Sequence, residues 1–166
     1  MEGKELVLRA RQGDKEAFSQ LYGQIYQDLY RFALYTLKNK QDAEDVVSDT
    51  VVAAFEQIGK LREADAFRGW IFKILSNLCR RKLKEYVSKT VELPDDLSVL
   101  PEDIAENVQI RTSFALLSGE ERFIISMHIF AGYDSKEIGK ILHMNHNTVR
   151  SKESRALQKM KQSMAE

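Results

Sequence analysis

Cysteine, proline, net charge and long apolar runs are all scarce in this chain. Of 166 residues one is cysteine, two are proline and eight are glycine, and 25 Lys and Arg balance 25 Asp and Glu. The lone Cys79 excludes an intrachain disulfide, and in a helical apolar pattern it reads as a buried thiol rather than a nucleophile or redox sensor. No apolar run approaches the roughly 18 to 20 residues of a membrane span. The opening MEGKELVLRARQGDKEAF mixes charges with apolar residues where a signal peptide would be apolar. A cytoplasmic protein without direct membrane insertion is the expectation. His128, His143 and His146 make no zinc-type spacing with Cys79, and there is neither a glycine-rich phosphate cradle nor a nucleophile with its base. The sequence therefore predicts no catalysis, no metal, no cofactor and no small-molecule substrate.

What is present is 43% hydrophobic and 30% charged residues, enough apolar material for one compact domain or two small ones. The zero net charge hides strong segregation. Residues 41–59 hold five acids and no base, 60–89 nine cations against three acids, 90–121 one cation against eight acids, and 122–166 eight cations against four acids. Alternating blocks of this kind suggest two surfaces for a polyanion and one or two for something basic.

Apart from the middle, the pattern is helical. Phe18, Leu21, Tyr22, Ile25, Leu29, Phe32 and Ala33 recur at steps of three and four, as do Ala43, Val46, Val47, Val51, Ala54, Phe55 and Ile58. Phe67, Trp70, Ile71, Ile74, Leu75 and Leu78 form a third stripe, whose helix ends in Arg80, Arg81, Lys82 and Lys84, where cations suit the helix dipole. Pro94 and Pro101 bracket PDDLSVLP, an acidic stretch without helical period. The expected fold is all-α: two small helical domains, 1–89 and 103–166, joined by an acidic linker, 90–102. In the second domain Ser118 with Glu121, and Asp134 with Glu137, have the spacing of capping boxes.

After the short segment SKEIGKIL comes HMN, room for a tight turn only, and then NHNTVRSKESRALQKM. A short helix, a three-residue turn and a longer helix make a helix-turn-helix, whose second helix enters the DNA major groove. With Val149, Ala156, Leu157 and Met160 turned inward, Asn147, Thr148, Arg150, Ser151, Ser154 and Arg155 are left to face the groove. Arginine suits bidentate contact with guanine or phosphate; the smaller polar groups suit the backbone. A solvated helix with i,i+4 charge pairs is the plainer alternative, and the capped helix and turn ahead of it favour DNA reading.

YDSKEIGKILHMNHNTVRSKESRALQKMK resembles the C-terminal DNA-binding domain of the sigma-70 family. GDKEAFSQLYGQIYQDLYRFAL, DAEDVVSDTVVAAFEQI and AFRGWIFKILSNLCRRKLK resemble, in order, the conserved stretches of the other sigma domain. The plan is similar to that of the small extracytoplasmic function (ECF) sigma factors, and the resemblance covers nearly the whole chain. It implies binding to core RNA polymerase, through its beta-prime and beta subunits, and to promoter DNA. It also implies an anti-sigma factor that holds the protein in check.

By that resemblance, the acidic helix docks on a basic coiled coil of the beta-prime subunit, with Asp42, Asp45, Asp49 and Phe55 as contacts. The basic block would recognise and melt the minus-ten element: Arg62 and Phe67 in the pocket-building loop GKLREADAF, then Asn77, Arg80, Arg81 and Lys84 along the helix. Trp70 is expected in the core. The C-terminal helix would read the minus-thirty-five element. The acidic linker either threads towards the polymerase active-site channel or is a solvated tether. Arg81 replaces the acid usual in the family, and Glu153 stands where an apolar residue is common. Glu153 could pair with Lys152 or the neighbours of Lys159, or accept from a cytosine amino group. Two rivals have the same helices: an operator-binding helix-turn-helix regulator, and a helical adaptor or decoy without DNA activity.

Overall fold

The computed structural model describes residues 2–88 and 108–165; the expected linker, 90–102, lies outside them. Every regular element there is helical. The first four helices are α1 (Glu2–Arg11), α2 (Lys15–Leu37), α3 (Lys40–Gln57) and α4 (Phe67–Ser88), with short 3-10 turns at Ile58–Lys60 and Ala64–Ala66. Side chains set their starts. Asp14 accepts from the Ala17 amide at 3.1 Å to begin α2 and is gripped by Arg9, while Asn39 accepts from the Asp42 amide at 3.0 Å to begin α3. Between them Lys38 takes the left-handed conformation, φ 53°, and its amide closes on the Leu34 carbonyl, which reverses the chain within two residues. The apolar stripes expected from the sequence then meet: Leu21, Ile25, Leu29 and Phe32 of α2 pack on Ala43, Val47 and Ala54 of α3 and on Ile71, Leu75 and Cys79 of α4. Each fully buried Leu, Ile or Phe contributes about 1.5–3 kcal/mol.

The last four helices are α5 (Val108–Ala115), α6 (Gly119–Ile129), α7 (Ser135–Leu142) and α8 (His146–Ala165). Both capping boxes form, Ser118 with Glu121 and Asp134 with Glu137, each with reciprocal side-chain and backbone bonds. The turn between α7 and α8 depends on His143 in the left-handed region, φ 56°, and on the Met144 amide bonding the Gly139 carbonyl at 2.9 Å. A Cβ on Gly139 would lie 2.6 Å from the Met144 carbonyl oxygen, so only glycine lets the turn fold back this closely. Asn145 accepts from the Asn147 amide at 2.8 Å and starts α8. Val149 and Ala156 are fully buried beneath it, with Met160 half-buried. Leu157, expected inward, is exposed: the buried line runs 149, 153, 156, 160, and position 157 has turned about 100° past it.

The two sequence units are packed together rather than merely tethered. One apolar cluster takes in Phe32 and Phe72 from the first and Phe123, Ile124, Met127 and Ile138 from the second. Three arginines cross the joint, and each ends on the last carbonyls of a helix in the other unit. Arg122 of α6, only 2% exposed, donates to Thr36 O at the end of α2 at 3.2 Å and also to Leu117 O just beyond α5. From α4, Arg68 donates to Phe130 O at the end of α6 and Arg80 to Ile141 O at the end of α7. Carbonyls at a helix C-terminus lack intrahelical donors and carry the negative end of the macrodipole, so a guanidinium satisfies both needs. Tyr133 adds a fourth link, its hydroxyl donating to Gly69 O.

Candidate functional site

The outer side of α8 carries all six residues expected there. Asn147, Thr148, Arg150, Ser151, Ser154 and Arg155 are exposed and fill the first two and a half turns. The face extends onto α7: Lys136 and Lys140, four residues apart opposite the buried Ile138, border a groove with Gly139, His143 and His146. These two lysines were missed in the sequence, although their i,i+4 spacing on a capped helix marks them as neighbours.

Ion pairs hold α8 in this orientation. Lys152 pairs with Glu120, and Lys159 with Glu121 at 2.9 Å. Burial, the largest single influence, pushes the Glu121 carboxyl up, but the Ser118 amide, Lys159 and the Ser118 hydroxyl together outweigh it and leave the group below its ordinary value. Glu153 is explained here. It points inward, 12% exposed, with Oε1 at 3.5 Å from Nδ1 of His128 on α6. It therefore sits at a position facing the core, as an apolar residue would, and His128 is its partner. Lys152, one of the partners expected for it, pairs with Glu120 instead.

On α4 the expected set divides. Asn77, Arg81 and Lys84 are exposed and, with Lys73, make one stripe at steps of four, four and three. Lys73 was overlooked because it precedes the cationic cluster. Arg80 is not in the stripe: one position before Arg81, it turns towards α7 and caps its carbonyl. Phe67 is 8% exposed and packs in the core beside the half-buried Trp70, ring centroids 6.1 Å apart, so it offers no open ring to a base. Arg62 is exposed, and its carbonyl accepts from Arg11 at 3.3 Å, which ties the loop to α1. Cys79 is buried, and burial pushes its thiol far above the ordinary range, so thiolate chemistry is closed to it.

On α3, Asp45 and Asp49 point to solvent with Glu44 and Glu56. Asp42 does not join them. It accepts from the Tyr86 hydroxyl, with Lys82 at 3.9 Å, so it ties α3 to α4; burial and this carboxylate hold the phenol well above its ordinary value. Phe55 is 42% exposed, edge-on to Phe18 at 5.2 Å, and beside it Val52 is 57% exposed, a residue the periodicity had not singled out. An acidic helix with an apolar crest is the result.

Profiles of two protein families match the chain: sigma-70 region 2 over residues 21–87 and sigma-70 region 4 over residues 107–160. The chain belongs to the sigma-70 family. Its curated relatives place it among the ECF sigma factors. It is 29% identical over 174 residues to the ECF RNA polymerase sigma-E factor of Haemophilus influenzae, covering 91% of this chain and 89% of that one. It is 28% identical over 141 residues to the sigma factor SigV of Bacillus subtilis, covering 81% and 83%, and 24% identical over 155 residues to SigM of Mycobacterium tuberculosis, covering 92% and 79%. Two solved structures share the fold. CnrH, in complex with the cytosolic domain of CnrY, gives a TM-score of 0.66 at 23% identity over 97% of this chain and 96% of that one. RpoE of Bartonella quintana, in complex with the anti-sigma factor NepR, gives 0.70 at 20% identity over 89% and 96%. As an ECF sigma factor the protein is a non-catalytic RNA polymerase subunit that directs the enzyme to promoters. No helix among the described residues is long and apolar enough to cross a membrane.

Proposed function

We propose that this sigma factor divides promoter recognition between α4 and α8 and takes its hold on polymerase through α3. The observation that carries the reading is the outer face of α8: six exposed groups suited to base edges and phosphates, on a helix fixed from behind by ion pairs and by the capped turn. Asn147, Thr148, Arg150, Ser151, Ser154 and Arg155 would read the minus-thirty-five element, with Lys136 and Lys140 on flanking phosphates. The stripe Lys73, Asn77, Arg81 and Lys84, with Arg62 in the preceding loop, would hold the minus-ten element, whose separated backbones need cations. On α3, Asp45 and Asp49 would steer a basic coiled coil of the beta-prime subunit, and Phe55 with Val52 would supply apolar contact.

Residues 1–89 and 103–166 would thus be the two working units, joined by an acidic linker. CnrH and RpoE were captured with CnrY and with the anti-sigma factor NepR, and by that likeness we infer an anti-sigma partner here, acting in the cytoplasm. Runoff transcription with purified core polymerase tests the division of labour. Holoenzyme formed with Arg150→Ala should lose initiation on promoters that need the upstream element, and Arg81→Ala should slow opening with closed-complex affinity retained. Equal transcription by both variants would overturn the assignment.

A further inference from the structure

A carboxylate turned inward beneath α8 needs an answering group, and among the described residues that group is a histidine. Glu153 stands on the buried line of α8, 12% exposed, whereas Arg150 and Arg155, within one turn of it, face outward. Taking a carboxylate out of water is costly unless a charge and hydrogen bonds offset it. The nearest cations of α8 are committed elsewhere: Lys152 pairs with Glu120 and Lys159 with Glu121, both of α6. What Glu153 meets is Nδ1 of His128, at 3.5 Å, on the last turn of the same α6.

The same nitrogen lies 3.3 Å from the Tyr133 carbonyl oxygen. A bare Nδ1 would turn its lone pair on two oxygens at once, so we assign the proton of the neutral ring to Nδ1, and Nε2 is left to take the second one. The side chain is 56% exposed, so that proton is exchanged with solvent. Gaining it turns the contact of a neutral ring with Glu153 into a charge-assisted pair. The other charges around the pair are engaged or face away. On α6, Glu120 and Glu121 are taken by the two lysines, and Arg122 donates to Thr36 O and Leu117 O. On α7, Asp134 and Glu137 cap their own helix, and Lys136 and Lys140 border the outer groove. The one charged residue of α5 is Arg111, whose side chain lies outside the described residues. Lysines thus seat α8 at two points, and at the third the cation is conditional on a proton.

We propose that His128 is a positioning residue for promoter reading: through Glu153 it holds α8, and with it Arg150 and Arg155, against α6, and it holds more firmly when protonated. This rests on the reading of α8 as the helix that meets the upstream element. A cation beside a carboxylate is favoured, so the added hold is present below the histidine range and is lost as pH rises through it. An apolar side chain at position 153 would seat the helix equally at every pH; the carboxylate makes the seat respond to acid.

The test measures binding of holoenzyme, assembled from the full-length protein and purified core polymerase, to a promoter it transcribes, from about pH 8 to about pH 6 at constant ionic strength. His143 and His146 border the outer groove and are present in every variant, so the response is read as a difference from the unaltered chain. Over that range binding should tighten about two- to fivefold more in the unaltered chain than in His128→Gln. Glu153→Gln should lose the same increment, and His128→Lys, with a permanent cation, should bind at the tight level with the increment gone. Circular dichroism checks that each variant is folded. A profile of His128→Gln parallel to that of the unaltered chain would overturn the proposal, whether binding is weaker throughout or unchanged, because a merely structural ring moves affinity without altering its slope on pH. An increment that survives in Glu153→Gln would overturn it too, since the histidine would then act on the DNA directly. Arg150→Ala separates the two readings. If it weakens binding while the other profiles all run parallel, α8 still reads the promoter and only the role of His128 fails; if it leaves binding unchanged, the reading of α8 falls and this inference with it.

Discussion

At Gly139 a single missing methyl decides how α8 is presented. The Cβ of alanine would press on the Met144 carbonyl oxygen, a backbone atom with no rotamer to yield. Gly139→Ala should therefore cost about 1–3 kcal/mol, read as a lower urea midpoint, despite alanine's better helix propensity. Arg155 is the opposite case, an exposed group whose removal should leave stability alone. Arg155→Ala should weaken promoter binding and, if the group meets a phosphate, lower the slope of log affinity against log salt by about one. An unchanged salt titration would remove it from the contact set. Glu153 shows where residue-level reading of a sequence stops. The spacing 149, 153, 156 puts Glu153 on the inward line of α8, but its partner, His128, is 25 positions away on another helix, and nothing local names it.

At the scale of elements, the helices and both capping boxes were legible because 3.6-residue periodicity and cap chemistry are local properties. Which flank of a helix is free was less so. Arg80 and Arg81 are adjacent cations in the sequence, yet one caps α7 and the other faces solvent. Asp42 likewise looks like Asp45 until the Tyr86 hydroxyl is found beside it. Charge reversal should separate these roles: Asp49→Lys should weaken core-polymerase binding with helicity intact, whereas Asp42→Ala should mainly lower stability, since it leaves a half-buried phenol without its acceptor. The α6–α8 pairing also carries a pH signature. The Glu121 carboxyl lies below its ordinary 4.5 in the folded chain, so its contribution is complete above that value and is lost as pH falls through the lower, folded one. Urea unfolding from pH 7 to pH 3 should show a fall in stability that Glu121→Gln makes smaller.

At the scale of the whole molecule, the sequence shows two units and says nothing of their docking, because the arginines that cross the joint reach backbone carbonyls, which every sequence has. Arg122 is the most consequential. Arg122→Ala would leave the ends of α2 and α5 without their donor and should cost about 2–3 kcal/mol. Lysine should not rescue it, because one ammonium lacks the planar fork that serves two carbonyls at once. The single tryptophan, Trp70, lies in the other unit, so a shift of its fluorescence-detected urea transition in Arg122→Ala would report the two units melting together.

Those crossing arginines also bear on affinity. A partner that grips both units where they stand keeps all three contacts, while a partner that requires them apart must first break the bonds from Arg68, Arg80 and Arg122. The apparent dissociation constant of the second kind of partner is raised in proportion to the rarity of the parted form. Substitutions at these three positions would thus sort partners by whether their binding tightens or weakens, although none need touch the arginines themselves.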